Sequence, residues 1–134
     1  MSQPRVSNSI VRVRYAETDK MGVVYYANYL VWFEIGRTNW LRDTDWSYRL
    51  MEEGGHALPV IEARCEYQRS AKYDDELDVQ TRGTALSAVR VRFDYAIVRC
   101  ADGVAIAAGY TVHASIGREG RPKRLPERVR ALFA

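Results

Sequence analysis

The stretch from residue 27 to residue 43 leaves this chain few ways to fold. Tyr29, Phe33, Gly36 and Trp40 recur at helical spacing on one stripe, and Leu30, Val31, Trp32, Ile35 and Leu41 widen it until little polar surface is left. Such a helix has to be covered on nearly every side. The rest of the chain offers the cover. Residues 10–15 alternate, with Val11, Val13 and Tyr15 on one face. Residues 58–68 set Ile61, Ala63, Cys65 and Tyr67 against Glu62, Arg64 and Glu66. Residues 75–86 continue with Leu77, Val79 and Thr81, residues 88–99 alternate from Val89 to Ile97, and residues 104–116 read as a last long strand. The expectation is an α+β domain: a five-stranded antiparallel sheet wrapped around one long buried helix. Asn28 is placed to cap that helix. A shorter helix over 46–53 stops at Gly54-Gly55, Ala101-Asp102-Gly103 turns a hairpin, and Pro126 opens a short terminal helix. Residues 1–134 make one domain, with 1–8 and 130–134 expected to be loosely ordered ends. Five strands around one helix leave sheet edges and a face uncovered, so self-association is expected.

Bulk properties exclude several classes. No apolar run approaches the roughly 18 residues of a membrane span, and no apolar segment follows Met1-Ser2-Gln3-Pro4-Arg5 to make a secretory signal. Cys65 and Cys100 match no metal or redox spacing and are expected to be buried, reduced thiols in a cytoplasmic protein. The net charge of +3 is unevenly placed. Residues 117–130 carry Arg118, Arg121, Lys123, Arg124, Arg128 and Arg130 against Glu119 and Glu127, a local net of +4. Such a tail suits a solvated surface, nucleic acid, acidic lipid or the phosphates of a nucleotide-bearing substrate.

The chemistry concentrates between residues 15 and 33. Asp19 sits in a loop with Gly22 just after an alternating strand, and the apolar helix begins several residues later. A helix start offers free backbone N–H groups and a positive dipole end, which suits a developing oxyanion. A carboxylate beside that corner is a minimal kit for acyl-group hydrolysis without metal or cofactor. Glu17 reads as structural or exposed. His56 and His113 are isolated, lack metal spacing and read as structural.

Asp19, Gly22, Val24, Tyr26, Asn28, Tyr29 and Trp32 fall in a pattern D-x-x-G-x-V-x-Y-x-N-Y-x-x-W. This resembles the 4-hydroxybenzoyl-CoA thioesterase family of hotdog-fold acyl-CoA thioesterases. Supporting patches run from Ser70 to Leu77 and from Arg121 to Pro126, so the likeness spreads from about residue 10 to 128. The resemblance implies hydrolysis of an acyl-CoA to a carboxylic acid and free CoA. It assigns Asp19 as nucleophile or general base and the Tyr26 backbone N–H as the group polarising the thioester carbonyl. Gly22, Val24 and Asn28 fall in the substrate-binding motif, with Asn28 also open to a purely capping role. One branch of relatives carries histidine where Tyr26 stands, and this chain departs from it.

A second departure concerns CoA. The family's basic run between its third and fourth strands is reduced here to Ser87-Ala88-Val89-Arg90. Phosphate contacts are therefore expected from Arg90, Arg92, Lys72, or the loop carrying Arg118, Arg121, Lys123 and Arg124. The resemblance implies no bound cofactor beyond CoA as part of the substrate, no metal, and a homodimer or a dimer-of-dimers tetramer with sites between subunits. Neither nucleic acid nor a membrane is an expected partner. The rival readings are a non-catalytic acyl-CoA-binding or scaffold protein, and a hotdog dehydratase or hydratase, whose chemistry favours a histidine beside the acid.

Overall fold

The structure, a computed structural model, describes residues 5–44 and 46–133. Strand β1 (Val6–Arg12) leads through a 3-10 turn (Tyr15–Glu17) to helix α1 (Asn28–Arg42) and the short α2 (Tyr48–Glu53). Strands β2 (Val60–Tyr67), β3 (Glu76–Ser87), β4 (Arg90–Arg99) and β5 (Ala105–Ala114) follow, and α3 (Glu127–Arg130) ends the chain. The five strands form one sheet in the order β1-β3-β4-β5-β2, every neighbouring pair antiparallel. This is the α+β hotdog arrangement, with α1 packed against one face of the sheet.

Helix α1 is seated by Tyr29, Trp32, Phe33, Gly36 and Trp40, all buried. Phe33 stacks on Tyr95 with ring centroids 4.2 Å apart and planes 5° off parallel. Gly36 lets the helix come down onto β3, where a Cβ would run into Thr81 Oγ1 and Val79 Cγ1. The inner faces of β3 and β4 supply Leu77, Val79, Val91, Phe93 and Ile97, all fully buried.

The cover is less complete than the apolar pattern implied. Leu30, Val31 and Ile35 are 41%, 46% and 37% exposed, because α1 rests over β1 and β3 and leaves the β5–β2 side open. Strand β2 is consequently exposed along nearly its whole length, Ile61 and Tyr67 included.

The first strand also begins earlier than expected, at Val6. Ser7 and Ser9 point inward and are buried. Ser9 Oγ accepts from Asn39 Nδ2 at 3.0 Å, and Ser7 Oγ donates to Asp43 at 3.2 Å. Residues 6–8 are thus sheet, paired to β3 opposite Arg82, Thr81 and Gln80, rather than part of a loose end. Residues 1–4 and 134 lie outside the described residues. At the other terminus Phe133 is buried against Trp40, 4.8 Å between centroids. Tyr15, expected on the inner strand face, starts the 3-10 turn and is exposed. Cys65 and Cys100 are both free thiols, but Cys100 is exposed, since β4 ends one residue before it. No helix among the described residues is long and apolar enough to cross a membrane.

Candidate active site

The Asp19 loop is a tight, self-bonded corner between the 3-10 turn and α1. Asp19 N donates to Val23 O at 2.8 Å and Gly22 N to Asp19 O at 3.0 Å, with Gly22 at φ +81°, a conformation other residues adopt only with strain. Asp19 Oδ1 accepts from Met21 N at 2.8 Å and from Val23 N at 3.4 Å. Its Oδ2 takes no hydrogen bond among the described residues, so one carboxylate oxygen is anchored and the other is spare. Val24, 5% exposed, roots the loop in the core, and Val24 N donates to Ala71 O.

Glu17 is 5% exposed, not solvent-facing. Its carboxylate accepts from Arg14 N at 2.8 Å and from Trp32 Nε1 at 3.2 Å. Its carbonyl accepts from Tyr25 N at 2.8 Å and from Asn28 Nδ2 at 2.9 Å. Asn28 is therefore a clamp, not the helix cap; Ala27 holds the N-cap position and makes no side-chain cap bond. A tight turn results, with Asn28 N bonded to Tyr25 O and Tyr29 N to Tyr26 O. The amides of Tyr26 and Ala27 find no acceptor among the described residues.

Asp19, Val24 and Tyr26 line one open cavity of about 320 Å³, together with Met21, Val23, Tyr29, Tyr67 and residues 68–70. A carboxylate and a helix-start turn meet there, the turn contributing Tyr26 with its unengaged N–H, a layout that can deliver a nucleophile and receive an oxyanion. Tyr29, Tyr67 and Arg69 escaped sequence reasoning as cavity residues. The available signal was that Tyr67 ends a strand immediately before the Ser70-Ala71 patch that pairs with the Asp19 loop.

The basic candidates separate. Lys72 bridges its backbone to Val23 and exposes its side chain beside the loop. Arg92 lies on the outer sheet face, bonded to Asp94 at 3.0 Å and stacked 3.9 Å over the Tyr110 ring, with Arg90 exposed two residues before it; neither lines the Asp19 cavity. Arg118, Arg121 and Lys123 line a second hollow of about 310 Å³ with Gly54, Gly55 and Glu119. Arg118 donates to Glu53 O and Lys123 to Gly54 O, each at 3.2 Å, while Arg124 exposes its side chain outside the hollow. The two hollows sit at opposite ends of β2, roughly 25 Å apart along an eight-residue strand.

His113 lies far from Asp19 in a closed polar chain. A carbonyl only accepts, so Nδ1 carries the proton that bonds Leu58 O at 2.8 Å, and Nε2 accepts from the Thr111 hydroxyl at 2.8 Å. Thr111 in turn accepts from Tyr95 at 2.6 Å. Burial lowers the His113 pKa from 6.5 to about 4. His56 faces Arg124 O and Trp46.

Residues 13–133 match the thioesterase-like superfamily. The chain belongs to that superfamily. An acyl-CoA thioester hydrolase of Escherichia coli, YbgC, is 32% identical over 123 residues, 92% of each protein. A 1,4-dihydroxy-2-naphthoyl-CoA thioesterase from Synechocystis superposes with a TM-score of 0.89 at 27% identity, covering 96% of both chains. A 4-hydroxybenzoyl-CoA thioesterase structure, at 17% identity and a TM-score of 0.87 over 97% of this chain and 99% of that one, shares the fold.

Proposed function

We propose that this thioester hydrolase acts on an acyl-CoA, with Asp19 as general base or nucleophile and the Tyr25–Asn28 turn as oxyanion site. The observation that carries the reading is the cavity itself, lined by both Asp19, with its spare carboxylate oxygen, and Tyr26, whose amide has no acceptor among the described residues. In the base route Asp19 takes a proton as water adds to the thioester carbonyl. The tetrahedral oxygen is held by the turn amides; the C–S bond then breaks and the proton passes to the departing thiolate. In the nucleophile route the Asp19 carboxylate itself adds, the C–S bond breaks to expel the CoA thiolate and leave a mixed anhydride, and water hydrolyses that anhydride to release the acid and restore Asp19. Either route runs with protein groups and water.

The subunit arrangement completes the site in this reading. Strand β2 is an uncovered edge with Val60, Ile61 and Tyr67 exposed. Two copies pairing antiparallel through β2 set the Val60 end of one beside the Tyr67 end of the other. The hollow of Arg118, Arg121 and Lys123 on one subunit then reaches the Asp19 cavity of its partner and takes the CoA phosphates. Release of free thiol from a panel of short, long and aromatic acyl-CoAs tests the activity. Turnover of at least one class is expected. Silence from folded protein that still binds acyl-CoA would establish the non-catalytic alternative.

A further inference from the structure

We infer that Tyr67 is a positioning residue for the reaction, its hydroxyl locking the Tyr26 carbonyl so that Tyr26 keeps its amide toward the substrate carbonyl. The inference rests on the reading of the Asp19 cavity given above.

Tyr67 Oη donates to Tyr26 O at 3.1 Å, across 41 residues of sequence. That carbonyl also accepts from Tyr29 N at 3.4 Å. The N–H at the other end of the same peptide belongs to Ala27, which has no acceptor among the described residues. An amide whose oxygen is doubly engaged is polarised, and its N–H becomes a stronger donor. The bond thus fixes the carbonyl end of Tyr26, the turn residue that lines the Asp19 cavity, and polarises the adjoining Ala27 amide.

Tyr67 is built to hold this position. It is the last residue of β2, paired to Ala107 of β5, so its backbone belongs to the sheet and its hydroxyl reaches the helix start. Its ring stands edge-on to Tyr29, 5.2 Å and 76°, and to Tyr26, 6.4 Å and 90°. Lost solvation in this crowd of rings, with Cys65 beside it, pushes the hydroxyl up to about 12, so it remains a donor at any working pH. Nothing in the core depends on the hydroxyl, because Tyr67 is 50% exposed.

Tyr67→Phe removes the hydroxyl alone and is compared with wild type and Asp19→Asn in the thiol-release assay. One lost hydrogen bond on the oxyanion turn corresponds to a fall in kcat of about tenfold. KM and the melting temperature are expected to stay at wild-type values, and the Ala27 amide proton to move upfield in a 1H–15N spectrum. Tyr67→Leu, which removes the ring as well, should lose further in kcat. Wild-type kcat in Tyr67→Phe, with Asp19→Asn inactive, would overturn the positioning role and leave the site standing. A raised KM at unchanged kcat would overturn it in favour of direct substrate binding, and an unmoved Ala27 amide would overturn the polarisation. Full turnover in Asp19→Asn would remove the underlying site, and this role with it.

Discussion

Glu17 and Asp19 carry the same functional group two residues apart, and the fold sends them to opposite fates. Glu17 turns inward, where the Arg14 amide and the Trp32 indole satisfy it, and becomes the staple between the strand exit and α1. Asp19 keeps one oxygen spare in a cavity. His113 shows a third outcome, a titratable group kept neutral by burial. Between its ordinary 6.5 and its folded value of about 4, the unfolded chain binds the proton and the native one does not. Its contribution is whole above pH 6.5 and lost as pH falls toward 4, amounting to about 3 kcal/mol at most. Thermal denaturation from pH 7 to pH 4 is expected to show a falling Tm, with the slope reduced in His113→Gln. An equal slope in both proteins would assign the acid sensitivity to other groups. The loop around Asp19 and Gly22 was legible from the glycine and the helix that follows, while the choice of Asp19 as the reacting acid came from the motif; the inward turn of Glu17 was not legible, since it depends on Trp32, fifteen residues on.

At the scale of elements, the sequence pattern revealed β3, β4 and β5, whose inner faces are mostly apolar, with Thr81, Thr111 and His113 as buried polar exceptions. It missed the start of β1 because Ser7 and Ser9 fill inward positions by hydrogen bonding rather than apolar packing. It over-buried α1 because an apolar side chain is equally at home in a core and on a face awaiting a partner. Leu30, Val31 and Ile35 are exposed in the single chain, and so are Ile61, Ala63 and Tyr67 on the apolar side of β2, with Cys65 half-buried. An unpaired edge of that kind is a template for a second strand. If two copies pair through this edge as proposed, Ile61→Lys places a charge in the seam, and sedimentation equilibrium is expected to show monomer where the wild type is dimeric, with loss of turnover. A dimer of wild-type stability would move the interface elsewhere.

Over the whole molecule two hollows lie at opposite ends of β2, one lined by Asp19 and the other by a cluster of cations. Their separation along β2 could not be read from the sequence, because the Arg118–Arg124 loop and the Asp19 loop are each near a strand end and only the strand order shows that the ends are opposite. If the cationic hollow takes the CoA phosphates of the neighbouring subunit's substrate, Arg121→Glu with Lys123→Glu should raise KM for acyl-CoA at least tenfold. The KM for the matching acyl-pantetheine, which lacks the nucleotide, should not change. Equal KM values for acyl-CoA in mutant and wild type would clear the hollow of that role. The central claim is that Asp19 drives thioester cleavage, and kcat of Asp19→Asn on the best acyl-CoA tests it most directly. A fall of about 10²–10⁴-fold with KM and melting temperature preserved is the predicted result; turnover equal to wild type would contradict the account.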